Sequence, residues 1–188
     1  MAAAAPRRRY TYEEYLALDE ASNLRLEFCG GDIFAMAGGT PEHAALCLQV
    51  GSTLNVQLEG RPCRVFSPEL RVRVLATGLA TYPDASVICG PIERDPADRN
   101  TALNPVLIVE VLSPSTEAYD RGEKRENYQQ IPSVREVVLI AHDQRLIELH
   151  RREADGWSCH YARAGGTLAL VSVPCTLDVD ALYDRAGA

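Results

Sequence analysis

The stretch Val106-Leu107-Ile108-Val109-Glu110-Val111-Leu112 constrains this chain most. A short apolar run rich in β-branched residues reads as a strand buried on both faces, at the centre of a sheet. Successive side chains in a strand point to opposite faces. Glu110 therefore shares a face with Val106, Ile108 and Leu112. An ionised carboxylate among such neighbours costs several kcal/mol unless it is paired or bound to a metal. A fold built on this strand must supply Glu110 with a partner. A buried salt bridge or a solvated strand end meets that need, and so does a role as metal ligand or acid/base.

The remaining pattern supplies the elements around that strand. Thr11-Tyr12-Glu13-Glu14 has capping-box form and starts a short helix to Leu18. Leu24 to Phe28 and Asp32 to Met36 form an N-terminal hairpin about Gly30-Gly31. Thr40-Pro41 opens a long helix that runs to about Leu58, with Ala44, Leu48, Leu54 and Leu58 among its apolar residues. Strands are expected at Cys63–Phe66, Leu70–Leu75 and Ala85–Cys89. Gly90 to Pro105 has no periodicity and reads as a loop. A polar helix follows from Glu117 to about Ile131. Val134–Ala141, Leu146–Arg151 and Trp157–Ala162 read as an antiparallel meander. A strand at Leu168–Val173 and a helix at Leu177–Tyr183 close the chain. The fold class is α/β (α+β), a mixed β-sheet flanked by helices. A length of 188 residues suits one domain spanning 1–188, with residues 1–10 expected to be flexible.

Charge and cysteine usage narrow the function. The formal net charge is -7, which excludes DNA binding by bulk positive charge. Any engagement of nucleic acid must then be local or metal-assisted. The six cysteines are dispersed, form no CxxC pair and follow no secretory signal. They are expected to be reduced, as in a cytoplasmic protein. The four histidines lack zinc-ligand spacing near a cysteine pair. No apolar stretch approaches the ~20 residues of a membrane span. P-loop, GxGxxG, GxSxG and HExxH patterns are absent.

The chemistry-bearing candidates gather around Glu110. Asp84 follows Pro83 at the entry of the strand Ala85–Cys89, where it is either a turn former or a second carboxylate beside Glu110. Two carboxylates on adjacent strands offer oxygen ligands to a hard cation such as Mg²⁺ or Mn²⁺. Asp120, Arg121, Lys124, Tyr128 and Ile131 share one helix stripe. Tyr128 and Ile131 are its packing residues, so Lys124 points toward the sheet. A lysine there could stabilise charge developing on a phosphate or hold an attacking water. Glu27 is another acid within an apolar segment. His43 sits in the first turn of the long helix, where free N–H groups favour anions. Structural roles fit Glu27 and His43 equally well. Arg71 and Arg73 alternate with Val72 and Val74 and face one side of a strand. They form either a phosphate-contacting strip or a solvated face.

Several motifs together resemble one family. They are Tyr12-x-Glu14-Tyr15-Leu16, Leu26-Glu27-x-x-Gly30, His43, Tyr82-Pro83-Asp84-x-x-Val87, Val109-Glu110-Val111-Leu112-Ser113-Pro114-Ser115-Thr116 and Asp120-Arg121-Gly122-x-Lys124-x-x-x-Tyr128. The chain is similar, from about Thr11 to Trp157, to the Uma-two-type restriction endonuclease family of the PD-(D/E)XK nuclease superfamily. The resemblance implies a restriction-endonuclease-like core. It implies a divalent metal on Asp84 and Glu110, with the Val111 carbonyl as a further ligand. The superfamily pattern places a lysine where Leu112 stands, so Lys124 supplies the amine from the following helix.

The expected function is Mg²⁺-dependent hydrolysis of DNA phosphodiester bonds. Asp84, Glu110, Lys124, Glu27 and His43 carry the chemistry, and Arg71, Arg73 and Tyr128 contact substrate. DNA binding is expected to be weak without the metal. A homodimer suits a cut in both strands. Two other readings stay open: a non-catalytic assembly protein with a vestigial site, and a hydrolase of small phosphoesters.

Overall fold

The computed structural model describes residues 8–36 and 38–187. The helix α1 (Tyr12–Ala21) begins with the expected capping box. Glu14 N–H donates to Thr11 Oγ1 at 3.1 Å and Thr11 N–H to Glu14 Oε2 at 2.8 Å. The hairpin β1 (Leu26–Cys29) and β2 (Asp32–Ala35) follows, and then α2 (Pro41–Gln57), capped by Thr40. Six strands come next: β3 (Cys63–Phe66), β4 (Arg71–Arg73), β5 (Ala80–Thr81), β6 (Ala85–Cys89), β7 (Arg94–Asp95) and β8 (Asp98–Ala102). The central strand is β9 (Leu107–Val111). After it the chain forms α3 (Glu117–Tyr119), a wide π-type turn (Asp120–Lys124) and α4 (Arg125–Gln129). The long hairpin strands β10 (Glu136–Ile140), β11 (Leu146–Glu153) and β12 (Gly156–Arg163) form the expected meander. The short pair β13 (Thr167–Ala169) and β14 (Thr176–Asp178) leads into α5 (Val179–Ala186).

The principal sheet has the order β12-β11-β10-β9-β6-β3. In it β9 pairs parallel with β10 and antiparallel with β6, so the sheet is mixed. A second sheet, β2-β1-β5-β4-β8-β7, carries the hairpin. Strand alternation divides the core as the sequence pattern implies. Leu107, Val109 and Val111 pack on one face with Leu46, Val50 and Leu54 of α2 and Leu182 of α5. Ile108 and Leu112 pack on the other face with Tyr128, Ile131 and Val134. The face that holds Glu110 is therefore the one covered by the α3–α4 segment.

Three expectations need correction. Gly90–Pro105 is not a bare loop, because Arg94–Asp95 and Asp98–Ala102 pair as β7 and β8. Backbone ladder bonds need no apolar periodicity, which hid these polar strands. Leu168–Val173 is not one strand, since β13 ends at Ala169. Finally, Cys63 and Cys89 are not free thiols. They face each other across the β3–β6 pairing and form a disulfide, whereas Cys29, Cys47, Cys159 and Cys175 remain free. Of the segment 1–10, residues 1–7 lie outside the described residues, and Tyr10 N–H bonds to the Gly31 carbonyl at 2.8 Å. No helix among the described residues is long and apolar enough to cross a membrane.

Candidate active site

Strand register brings the two leading carboxylates together. In the β6–β9 pair Ala85 stands opposite Val109, with Ser86 opposite Ile108. One step outward, the same register sets Asp84 beside Glu110. Directly opposed residues on one face have Cβ atoms ~4.5–5.5 Å apart. The first residue after Pro83 is thus anchored at the rim of the strand, and Val111 N–H donates to Asp84 Oδ2 at 2.8 Å.

The helical segment after β9 supplies the cation. At Gly122 the backbone leaves helical geometry (φ −102°, ψ −108°) within the wide turn Asp120–Lys124. Both ends of that turn are buried, Asp120 at 4% exposure and Lys124 at 4%. Lys124 Nζ lies 3.0 Å from Glu110 Oε1, 3.5 Å from Asp120 Oδ1 and 3.9 Å from Glu27 Oε2. Tyr128, one helical turn further, donates to Glu110 Oε1 at 2.5 Å. Glu27 reaches the group from β1. It accepts from Thr81 Oγ1 at 2.8 Å and from the Tyr119 hydroxyl.

His43 closes the opposite side. Its Nε2 is 3.4 Å from Asp84 Oδ2, and the Cys47 thiol lies 3.5 Å from its Nδ1. A side chain at Gly39 would collide with the His43 ring, so this glycine makes room for it.

The electrostatics follow from burial of many acids around few bases. Burial, with the charges of Asp84 and Asp120, pushes Glu110 up to about 8 despite Lys124. Burial likewise raises Asp120, against the pull of Lys124. Burial opposes the charge on Lys124 too, yet Glu110, Glu27 and Asp120 outweigh it and hold the amine well above the ordinary lysine range. For Asp84 the burial cost is overcome by hydrogen bonds from His43 and Val111, which keep it below the usual carboxylate value. His43 is raised by its hydrogen bond to Asp84, with burial working the other way.

Asp84, Glu110, Lys124, Glu27 and His43 thus converge on one cleft of about 660 Å³, which Val111 also lines. Arg71 and Arg73 do not join them. Both lie in β4 of the second sheet, where acids claim them. Arg71 is buried between Asp19 and Asp98 and donates to the Tyr82 hydroxyl at 2.8 Å. Arg73 pairs with Asp95 at 2.6 Å and lies over the Tyr12 ring. The expected phosphate strip is therefore a structural ion-pair network. Tyr128 is fully buried and meets Glu110 rather than the cleft. Three participants were not singled out from the sequence as site residues: Asp120, Tyr119 and Cys47. Asp120 lies one turn before Lys124 and Cys47 one turn after His43, so helical spacing from the chosen residues was the available signal.

The donors fit a hard divalent cation. Among the described residues, three carboxyl groups (Glu27, Glu110 and Asp120) lie within 4 Å of the Lys124 ammonium, with Asp84 beside Glu110 across the β6–β9 pair, so the acids outnumber the one amine. Oxygen donors bearing uncompensated charge are what Mg²⁺ or Mn²⁺ prefers. Asp84 and Glu110, with the Val111 carbonyl, are the residues that would hold such an ion.

The fold and this site define a class: an α+β protein of restriction-endonuclease-like architecture. The crystal structure of a "putative nuclease belonging to DUF820" from Anabaena variabilis has the same fold, with a TM-score of 0.77 at 20% identity, over 93% of this chain and 97% of that one. The chain belongs to the Uma2 family, described as "Putative restriction endonuclease", whose model matches residues 12–179. Its relatives include the uncharacterized protein slr1290 of Synechocystis sp., 34% identical over 180 residues, which cover 95% of this chain and 94% of that protein. Another, sll1609 of the same organism, is also uncharacterized. It is 28% identical over 145 residues, or 77% of this chain and 82% of that protein.

Proposed function

We propose that this protein is a divalent-metal-dependent endonuclease that hydrolyses DNA phosphodiester bonds, with Mg²⁺ or Mn²⁺ held by Asp84, Glu110 and the Val111 carbonyl. The observation that carries the reading is the Lys124 ammonium 3.0 Å from Glu110, inside a buried ring of carboxylates that opens to a cleft. A bound dication supplies Lewis-acid polarisation of the phosphodiester and lowers the pKa of a bound water.

The chain's own groups do the rest. Tyr128 fixes the Glu110 carboxylate from below, and Val111 N–H fixes that of Asp84. Each ligand is thereby held in one orientation, which limits reorganisation on metal binding. Lys124 presents a permanent positive charge beside Glu110, where it stabilises charge growing on the phosphate oxygens or orients the attacking water. Glu27, tethered by Thr81 and Tyr119, assists through water. His43, raised by Asp84, positions phosphate at the mouth of the cleft. DNA is engaged locally through the metal, which reconciles a phosphate substrate with a net charge of -7. Two copies related by a twofold axis would serve a double-strand cut.

Incubating the protein with supercoiled plasmid in Mg²⁺ or Mn²⁺ tests this function. Nicking is expected, and Glu110→Ala is expected to abolish it. Equal cleavage by wild type and variant, or none by either, would overturn the reading.

A further inference from the structure

Cys47 has no part in the nuclease chemistry, yet it stands beside two groups that do. His43 and Cys47 are four residues apart on α2 and project from one helical face. Asp84 reaches the same point from the start of β6. His43 Nε2 lies 3.4 Å from Asp84 Oδ2 and 3.9 Å from Cys47 Sγ. One donor atom from each of the three residues lies within 4.8 Å of the other two. Tetrahedral zinc has bonds of ~2.0–2.1 Å to nitrogen and oxygen and ~2.3 Å to sulfur, so its donors sit ~3.3–3.6 Å apart. The His43–Asp84 spacing of 3.4 Å already matches that range, the His43–Cys47 spacing of 3.9 Å is close to it, and the third pair lies within 4.8 Å.

The donor set differs in kind from the carboxylate site. Nitrogen and thiolate sulfur favour a borderline or soft transition-metal dication, and Mg²⁺ has little affinity for either. His43, Cys47 and Asp84 all line a second cleft, beside Cys47's neighbour Leu48, and His43 and Asp84 also line the first. Three protein donors at the junction of two clefts leave the fourth tetrahedral position open to water or an anion.

We infer that His43, Cys47 and Asp84 form a site for a thiophilic transition-metal dication such as Zn²⁺, sharing Asp84 with the oxygen-donor site. On binding, the Cys47 thiol gives its proton to solvent and the sulfur bonds the metal. Occupancy draws Asp84 away from the Mg²⁺ position, so Zn²⁺ inhibits cleavage. That last consequence rests on the nuclease reading, whereas the binding itself does not.

Titrating the purified full-length protein with Co²⁺ tests the binding directly, because a cobalt–thiolate bond gives a near-ultraviolet charge-transfer band. The band is expected to saturate at one equivalent and to be bleached by Zn²⁺. Cys47→Ser is expected to remove it, and His43→Gln to weaken Co²⁺ binding by at least about tenfold. Glu110→Gln, which should end DNA cleavage, is expected to keep the band, so the two readings fail separately. If Cys47→Ser does not fold, as judged by circular dichroism, a variant with Cys29, Cys159 and Cys175 all changed to Ser must still show the band. Absence of the band in wild type overturns the site. So does its persistence in folded Cys47→Ser, or its loss in the triple variant.

Discussion

Lys124 Nζ and Glu110 Oε1 stand 3.0 Å apart with both side chains almost wholly buried, and Tyr128 donates to the same carboxylate oxygen. A buried pair is ordinarily a balance of one charge against one. Here Asp120 lies 3.5 Å and Glu27 3.9 Å from the same ammonium, so three carboxyl groups crowd one amine and the acids are in excess. A cation-binding site needs such an excess, and an isolated structural salt bridge does not.

Lys124→Ala should lower the single-turnover rate of DNA cleavage by ~10²–10³, the usual cost of removing one preorganised charge-stabilising donor. Lys124→Arg should not restore the rate, because the planar guanidinium cannot occupy the small space between Glu110 and Asp120. A rate equal to wild type in folded Lys124→Ala would remove the lysine from the chemistry.

Divalent metal should stabilise the fold, because it relieves repulsion among buried acids. At a Mg²⁺ or Mn²⁺ concentration of about 100 times its Kd the gain is about 2.7 kcal/mol. Thermal unfolding with and without metal reads it directly. Asp84→Asn should lose most of the shift, and chelator should return wild type to its metal-free midpoint.

Arg71 belongs to the scaffold. Arg71→Met leaves Asp19 and Asp98 facing each other without their shared cation, and breaking a buried pair in this way costs ~3–5 kcal/mol. Denaturant titration measures the loss. The salt dependence of DNA binding by the folded fraction should be unchanged, whereas a lost phosphate contact would flatten it.

His150 gives the fold a dependence on pH. Burial, reinforced by the charges of Arg125 and Arg121, lowers its pKa from 6.5 to about 4. Between pH about 4 and 6.5 the unfolded chain binds a proton that the folded chain does not. The stability due to this residue is therefore complete above pH 6.5 and is lost as pH falls toward about 4. Unfolding midpoints across that window should fall less steeply in His150→Gln. An unchanged slope would remove His150 as the cause.

Much of the site was legible because it depends on local periodicities. Alternation along Val106–Leu112 placed Glu110 on the face that α4 covers, and the helix stripe placed Lys124 and Tyr128 beneath it. Asp84 needed only the antiparallel register of β6 against β9. What escaped depends on contacts distant in the chain. Arg71 and Arg73 look free until α1, β7 and β8 bring Asp19, Asp95 and Asp98 to them. Composition alone does not set the phase of α2, because Leu46 and Leu48 are both apolar, and only packing on β9 buries the first. The Cys63–Cys89 bond likewise requires the β3–β6 register, which dispersed cysteines do not reveal.

The proposed chemistry requires one hard dication between Asp84 and Glu110, beside Lys124. Anomalous diffraction from a crystal soaked in Mn²⁺ tests it most directly. A peak is expected ~2.0–2.3 Å from carboxylate oxygens of both Asp84 and Glu110, the bond range of hard dications. Glu110→Gln crystals should lack that peak. Density confined to other positions, or none at all at saturating Mn²⁺, would rule out a dication held by these two carboxylates.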